Sequence, residues 1–216
     1  MLTRGCWIAA AVATLALAGC SVVRPAPVVQ GQTLRIPPGA LKRIAVLPFS
    51  HRDTMRTSSD AGATTPEIAA ELVARFITEA MNKRGIEVIP ASDLATALSA
   101  QGLKPMDINP RTAAELAAAE FGATAIMIGQ VSRYRERQGE KFGSTGAASV
   151  AFNATIYTAD PVQRVWSRQF DETQRALSEH IVNARRYPGG GMRWLTAAEL
   201  AQWGADSAIA TLPPAH

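Results

Sequence analysis

The chain has 216 residues, of which 47% are hydrophobic and 19% charged, and these proportions are ordinary for a globular protein. Its net charge is +4, and the basic residues are scattered among acids except at Arg133-Tyr134-Arg135 and Arg185-Arg186. A nucleic-acid-binding surface needs a clustered basic stripe, so we expect no nucleic-acid partner. A mild attraction to anionic lipid headgroups or glycan polymers stays open.

The amino-terminal residues are organised like a secretory signal. Met1–Gly5 carries a single charge, Arg4, and Cys6–Ala18 is apolar. This apolar stretch is shorter than the roughly 20 residues that a membrane-spanning helix needs. A short basic start, a short apolar middle and a small-residue end are typical of a cleaved signal. We therefore predict that residues 1–19 are a signal peptide.

The end of this signal resembles the lipobox of bacterial lipoproteins, with the sequence Leu17-Ala18-Gly19-Cys20. The resemblance implies cleavage between Gly19 and Cys20, a diacylglycerol on the cysteine sulfur and a fatty acyl group such as palmitate on the new amino terminus. Several acyl chains hold a domain on a bilayer where one chain binds only marginally. Cys20 is thus the predicted lipid-attachment residue, against the alternative of a buried core cysteine, and no cofactor besides this covalent lipid is expected.

The rest of the chain divides into a tether and one domain. Cys6 and Cys20 are the only cysteines, so the mature domain has no disulfide and no cysteine-based metal site. Residues 20–39 contain four prolines, which favour extended backbone and indicate a semi-rigid tether. Residues 40–216 are long enough for a single globular domain.

The predicted elements begin with a buried strand at Lys42–Phe49, "KRIAVLPF", followed by a mobile loop over Ser50–Thr65. Thr65-Pro66-Glu67 has the residues of a helix start, and Gly85 those of a helix end. Apolar residues recur along this helix at the spacing of one buried face. They are Ile68, Leu72, Val73, Phe76, Ile77, Ala80 and Met81.

Three further elements follow before the second half of the chain. Ile86–Pro90 is predicted as a strand and Ser92–Gln101 as a short helix. Thr112–Glu115 has the pattern of a capping box and opens a helix that Gly122 ends. The sequence from Ala123 to Arg137 then begins as an apolar strand and becomes alternating, as expected where a strand leaves the core.

The second half predicts a β-hairpin and a final helix. Ala148–Thr158 and Arg164–Thr173 alternate between apolar and polar residues and are joined by a turn at Asp160-Pro161. A second capping box at Thr196–Glu199 opens a helix with apolar residues Leu200, Trp203, Ile209 and Leu212. The order β-α-β-α-α-β-β-β-α predicts an α/β domain with a mixed sheet of about five strands flanked by helices.

Three passages of this order resemble a known domain: "RIAVLPF" before the long helix, "AAAEFGATAIMIGQV", and the hairpin with Trp166. They are similar to the domain shared by the curli-secretion lipoprotein CsgG, the amino-terminal domain of TolB and the LpoB activators of penicillin-binding proteins. The resemblance implies a role in envelope assembly through protein contacts. CsgG-type channels extend their hairpins across a membrane, but Gln138–Gly146 is short and polar, so a pore is not expected.

No pattern in the sequence predicts catalysis or metal binding. His51, His180 and His216 lie far apart and outside any H-E-x-x-H context. No serine lies in a G-x-S-x-G elbow. Pro188–Gly191, "PGGG", lacks the preceding strand and the G-K-[ST] ending of a phosphate loop. We predict that the protein is not an enzyme and holds no metal.

Arginine and aromatic residues flank this glycine segment, and both types are enriched in protein interfaces. The candidate partner-binding residues are Arg186, Tyr187, Arg193 and Trp194. The alternative is that Tyr187 and Trp194 simply cover the core.

Two functions remain open. The first is a non-enzymatic envelope lipoprotein that acts in assembly, secretion or wall synthesis through protein contacts, with self-association left open. The second is an auxiliary small-ligand or lipid-binding lipoprotein of a transport system. Ser21 is not the aspartate that typically retains lipoproteins in the inner membrane, so the expected location is the periplasmic face of the outer membrane. A deep apolar pocket would favour the second function, and a flat or groove-like aromatic surface the first.

Overall fold

A mixed β-sheet with helices on both faces forms the centre of the protein. The computed structural model describes residues 28–51, 64–105, 108–139, 144–175, 187–188 and 193–214. In chain order the described elements are β1 (Val29–Thr33), β2 (Arg43–Val46), β3 (Ser50–His51), α1 (Pro66–Lys83), β4 (Glu87–Ile89), α2 (Ala91–Ala100), α3 (Pro110–Phe121), β5 (Ala125–Arg135), β6 (Gln138–Gly139), β7 (Ser144–Gly146), β8 (Ser149–Thr158), β9 (Arg164–Thr173) and α4 (Ala197–Ile209).

Seven of these strands form one sheet in the spatial order β1-β9-β8-β5-β2-β4, with β3 pairing to β5 beyond the end of β2. The strands β2, β4 and β5 are parallel to one another, whereas β5, β8, β9 and β1 pair in antiparallel fashion. β6 and β7 form a separate two-stranded sheet. The predicted mixed α/β fold is confirmed, and the strands that the sequence did not predict are all short.

Local signals place several helix ends where the sequence predicted them. The Thr65 side chain accepts a hydrogen bond from the Ile68 amide, and Pro66 takes the first helical position of α1. Gly122 ends α3 in the left-handed conformation with a φ of 63°. The capping box of Thr196 and Glu199 opens α4.

The two faces of the sheet carry separate hydrophobic cores. One core lies under α1 and α4 and contains the largest buried side chains of the hairpin, Phe152, Trp166 and Phe170. The other lies under α2 and α3 and is built around Leu94 and Leu98. Alternation along a strand sends successive side chains to opposite faces, and the predicted inner face of β8 is indeed buried. Its residues are Val150, Phe152, Ala154 and Ile156.

The buried stripe of α1 differs from the predicted one. Ile68 was expected in the core but is 54% exposed. The stripe that faces the sheet is rich in alanine, with Ala69, Ala70 and Ala74 among its residues. Because these small side chains allow the helix to approach the sheet closely, the helix is rotated toward them, and Ile68 lies beyond the edge of the contact.

The start of α3 also differs from its prediction. The helix begins at Pro110, and the Asn109 side chain caps it by accepting a hydrogen bond from the Thr112 amide at 2.9 Å. An asparagine followed by proline is a stronger start than the predicted capping box at Thr112–Glu115, because asparagine is among the best cap residues and proline is pre-organised for the first turn.

Two strands lie in segments that were predicted to be irregular. Residues 29–33 of the predicted tether form β1, which pairs along β9 from Val29 opposite Phe170 to Thr33 opposite Trp166. Ser50 and His51, at the start of the predicted loop, form β3 on β5. Both pairings join residues that are distant in sequence, and local periodicity carries no information about such partners.

Gly31 permits the pairing of β1 with β9. Its φ is +149°, and a Cβ atom at this position would lie 2.0 Å from the Ser167 carbonyl oxygen. Only glycine allows the two backbones to approach in this way. None of the helices in the described part of the chain combines the length and apolar character needed to cross a bilayer.

Candidate functional site

A groove of about 680 Å³ lies beside β4, between α1 and the beginning of α2. Three parts of the chain line it: the residues that follow β2, one side of α1, and the first turn and a half of α2. The parallel strands β2 and β4 both end here. The crevice at the carboxyl ends of parallel strands is where open α/β sheets generally bind their ligands.

The base of the groove is apolar and closely packed. Phe49 is 5% exposed and lies against Gly129 of β5, where an added Cβ atom would come within 2.2 Å of the phenyl ring. Glycine at this position therefore sets the depth of the ring. Pro48, Ala74 and Ala91 extend the apolar lining.

The rim is charged and has an excess of carboxylates. His51 Nε2 lies 3.3 Å from the Glu67 carboxylate, whose side chain is 68% exposed. Arg75 lies 3.9 Å from Glu79, its helical neighbour. Glu71 lies between these pairs on α1 and has no ion pair with a described residue. The rim thus offers one unpaired carboxylate between two paired ones.

The helix start also affects the ionisation of Glu67. Hydrogen bonding to its own backbone amide is the main cause that lowers the pKa of Glu67, and the Thr65 hydroxyl and His51 add to the effect. His51 Nδ1 is buried and has no hydrogen-bond partner among the described residues. The groove can therefore accept an apolar side chain at its base and cationic groups at its rim.

Within the described ranges, no group of three or more histidine, cysteine, aspartate or glutamate side chains is arranged to hold a metal ion.

The predicted partner-binding residues lie elsewhere, near α4. Tyr187 is 4% exposed, donates a hydrogen bond to Glu172 at 2.5 Å and packs on Trp203 with a ring-centroid distance of 5.2 Å. Arg193 binds Glu199 through two contacts of 2.7 Å. This placement agrees with the alternative that Tyr187 covers the core.

The remaining predicted site residues have different outcomes. Trp194 is half-buried. Cys20 and Arg186 lie outside the described residues, as do His180 and His216. The lipid-attachment and partner-binding roles stay predictions.

Sequence reasoning missed the groove, because its residues belong to three separate segments. The sequence predicts Phe49 as the end of a strand and places His51 in a loop, and no local pattern distinguishes Glu71. The signal that could have found them is the predicted β-α-β order, which places the ends of two parallel strands side by side.

Comparison with known proteins gives similarity only at the level of structure. No protein-family model matches the chain. No curated protein sequence matches it either. The chain is similar to the C-terminal domain of LpoB from Salmonella enterica, with 14% identity, coverage of 64% of this chain and 86% of that chain, and a TM-score of 0.37.

Two other solved structures are similar to a comparable degree. Lipoprotein GNA1162 from Neisseria meningitidis is 17% identical over 65% of this chain and 95% of that chain, with a TM-score of 0.42. The PelC dodecamer from Paraburkholderia phytofirmans is 16% identical over 70% of this chain and 86% of that chain, with a TM-score of 0.38. The resemblance to CsgG and TolB stays a prediction.

Proposed function

We propose that this chain is a non-enzymatic bacterial envelope lipoprotein, anchored through Cys20 at the periplasmic face of the outer membrane. In this proposal it acts in assembly, secretion or wall synthesis by binding a partner protein. The lipobox supports the anchor. The groove between α1 and α2 is the observation that supports a binding role, because it joins an apolar base to a charged, accessible rim.

The charges of the groove define the chemistry of the partner. Glu67, Glu71 and Glu79 face the rim, against Arg75 and the imidazole of His51. A partner segment that inserts one apolar side chain toward Phe49 and carries lysine or arginine beside it would complement both features. Electrostatic complementarity of this kind contributes mainly to specificity and to the rate of association.

Binding fits the site better than turnover does. His51 and Glu67 are the pair that a hydrolytic enzyme would use as base and orienting group. Here His51 Nε2 faces Glu67, and its other ring nitrogen, Nδ1, is buried without a hydrogen-bond partner among the described residues, so no described nucleophile is hydrogen-bonded to this pair.

Site-specific crosslinking in intact envelopes tests this proposal. A photo-crosslinking residue at Ala95, which lines the groove, is expected to give a defined protein adduct. The same residue at Ala100, which is exposed at the end of the same helix, provides the matched control and is expected to give none.

Charge reversal at the rim completes the test. We expect Glu71→Lys to reduce the Ala95 adduct at least several-fold, because it places a cation opposite the basic groups of the partner. Glu115→Lys, on the exposed side of α3, is the control and is expected to leave the adduct unchanged. Equal adducts at both crosslinker positions, or an adduct insensitive to Glu71→Lys, would contradict the proposed groove.

The volume of the groove supports a second candidate, a small-ligand-binding lipoprotein. About 680 Å³ falls within the roughly 300–1,000 Å³ typical of small-molecule sites. Native mass spectrometry of protein purified from envelopes would then show a bound molecule, and Ala95→Phe would remove it. A protein adduct at Ala95 without any bound molecule favours the first function.

A further inference from the structure

The strand β1 limits how far the domain can lie from its anchor. β1 is held in the sheet from Val29 onward, and Val28 precedes it directly. Eight residue-to-residue steps separate Val28 from Cys20. Whatever its conformation, a linker of eight steps spans at most about 29 Å. This bound rests on the proposed lipid anchor at Cys20.

Strand register shows which end of the sheet the linker enters. Val29 lies opposite Phe170, Phe170 opposite Phe152, and Phe152 opposite Val131. Beyond this row, in the direction of Val28, β5 ends at Arg135, which pairs with Ser149, and Ser149 pairs with Thr173. The linker therefore enters at the end of the sheet where β5 and β9 finish and β8 begins, here called the linker end.

Three guanidinium groups at the linker end have no ion pair with a described residue. They belong to Arg135, Arg137 and Arg175. Arg135 and Arg175 are exposed, and Arg137 is half-buried with an Nη1 atom that lacks a hydrogen-bond partner among the described residues.

The carboxylates nearby are already engaged. Asp171 is paired with Arg133, Glu172 accepts from Tyr187, and Glu136 accepts from the Ala197 amide at 3.1 Å. The linker end thus presents three guanidinium groups that form no ion pair with a described carboxylate, while Glu136 and Glu172, whose donors are neutral, keep their negative charges beside them. We infer that it docks on the anionic phosphate headgroups of the bilayer that holds the anchor.

The opposite end of the sheet is the competing membrane-facing surface. It also presents three basic residues, Arg35, Lys42 and Arg164, but the exposed carboxylates of Glu120 and Asp160 lie at the same end. Counted in the same way, with the carboxylates of Glu136 and Glu172 included at the linker end, the described side chains give the two ends a similar net charge, so charge alone does not decide between them.

The length of the linker distinguishes the two ends of the sheet as membrane-facing surfaces. The far end of β5 lies about seven residues along the strand from the level of Val28. To reach it, the linker would use about 23 Å of its maximum length of about 29 Å running back beside the sheet. The linker end needs no such reversal.

β2 and β4 are parallel to β5, so the groove at their carboxyl ends faces the same direction as the linker end, but it is offset toward the other edge of the sheet. The groove lies beside β4, and β1 and β4 are the opposite edges of the sheet. Headgroup contact at the β5, β8 and β9 ends holds the domain close to the membrane while the β4 edge is still open to a partner protein.

Energy transfer from a single fluorophore to labelled headgroups tests the inference. The full acylated chain is reconstituted in vesicles of phosphatidylcholine with phosphatidylglycerol. Because the thiol of Cys20 carries the lipid, an introduced cysteine is the only one available for labelling. Thr145→Cys reports from the hairpin that follows the linker end, and Glu120→Cys reports from the opposite end; both positions are exposed.

We expect stronger transfer from position 145 than from position 120, and a loss of this difference at high salt, since salt screens headgroup attraction. We expect the difference in transfer to be abolished by the triple variant Arg135→Gln, Arg137→Gln and Arg175→Gln. Each arginine near an anionic surface contributes about fivefold to the orientation preference. The matched triple variant Arg35→Gln, Lys42→Gln and Arg164→Gln is expected to preserve it.

Equal transfer from both positions, or stronger transfer from position 120, would overturn the inference while the anchor stands. A chain that does not associate with vesicles at all would overturn the anchor at Cys20 and this inference with it. Loss of the groove adduct alone would leave the orientation unaffected, so the two proposals fail in distinguishable ways.

Discussion

At the residue scale, Glu199 joins the segment before α4 to the helix itself. Its carboxylate accepts a hydrogen bond from Arg193 Nη1 and one from the Thr196 amide at 2.9 Å, and it lies 2.7 Å from Arg193 Nη2. Its own amide donates to the Thr196 hydroxyl. The bond from Arg193 is the main cause that lowers the pKa of Glu199 to about 2. These contacts form only in the folded protein and favour the ionised carboxylate. Glu199 therefore stabilises the fold in its ionised form.

This leads to a prediction about pH. Because the pKa of Glu199 is lower in the folded protein than its ordinary value, the stabilisation is complete above about pH 5 and is lost as the pH falls toward 2. The side chain is 38% exposed, so we expect about 1 kcal/mol rather than the larger value that the shift alone suggests. Urea unfolding should show Glu199→Gln less stable than wild type at pH 7, with a much smaller difference at pH 2.5.

Glutamine keeps the capping hydrogen bonds, so the variant isolates the effect of the charge. Glu120→Gln, at an exposed residue that has no ion pair with a described residue, is the control and should show no comparable loss at pH 7. A stability difference of equal size at pH 7 and pH 2.5 would show that shape, and not ionisation, accounts for the effect.

At the scale of the element, β1 depends on one glycine. An alanine at position 31 would combine an unfavourable backbone angle with a Cβ atom 2.0 Å from the Ser167 carbonyl. We expect Gly31→Ala to detach β1 from β9, since backbone strain of this kind costs on the order of 1–3 kcal/mol and the strand has only five residues. Hydrogen exchange of the β1 amides should lose its protection.

Gly85→Ala is the matched control for this prediction. Gly85 also has a positive φ, of 74°, but no atom lies within 4 Å of an added Cβ. The Gly85→Ala substitution is expected to cost on the order of 1–2 kcal/mol in global stability, while the β1 amides stay protected from hydrogen exchange. Protected β1 amides in Gly31→Ala would contradict the pairing. Detachment of β1 would also lengthen the linker and weaken the orientation at the membrane.

At the scale of the whole molecule, we predict that acylation of Cys20 decides where the domain works. We expect Cys20→Ala to lose fatty-acid labelling and to yield either a soluble periplasmic protein or an uncleaved precursor, because no acyl chain then holds the domain on the bilayer. Metabolic labelling with palmitate, followed by density fractionation of the envelope, measures both effects.

Cys6→Ala is the control, since residue 6 belongs to the predicted signal peptide. This variant should be labelled and should fractionate with the outer membrane like wild type. Labelling that persists in Cys20→Ala would contradict the anchor, and fractionation of wild type with the inner membrane would contradict the proposed location.

The sequence by itself determined the elements whose signals are local. The start of α1 at Thr65 and Pro66, the end of α3 at Gly122, the capping box of α4 and the alternation of β8 each depend on residues within a few positions of one another. Hydrogen bonds to helix-terminal amides and the two-residue period of a strand need no distant partner, so these features can be predicted before the chain folds.

Only the tertiary structure decided the features that join distant segments. β1 exists because Gly31 meets Ser167, and the groove exists because Phe49, Glu71 and Ala95 converge at the ends of two strands. Tyr187 is buried because Trp203 and Glu172 surround it. Each depends on the packing of residues from different elements, and local pattern does not specify which residues will meet.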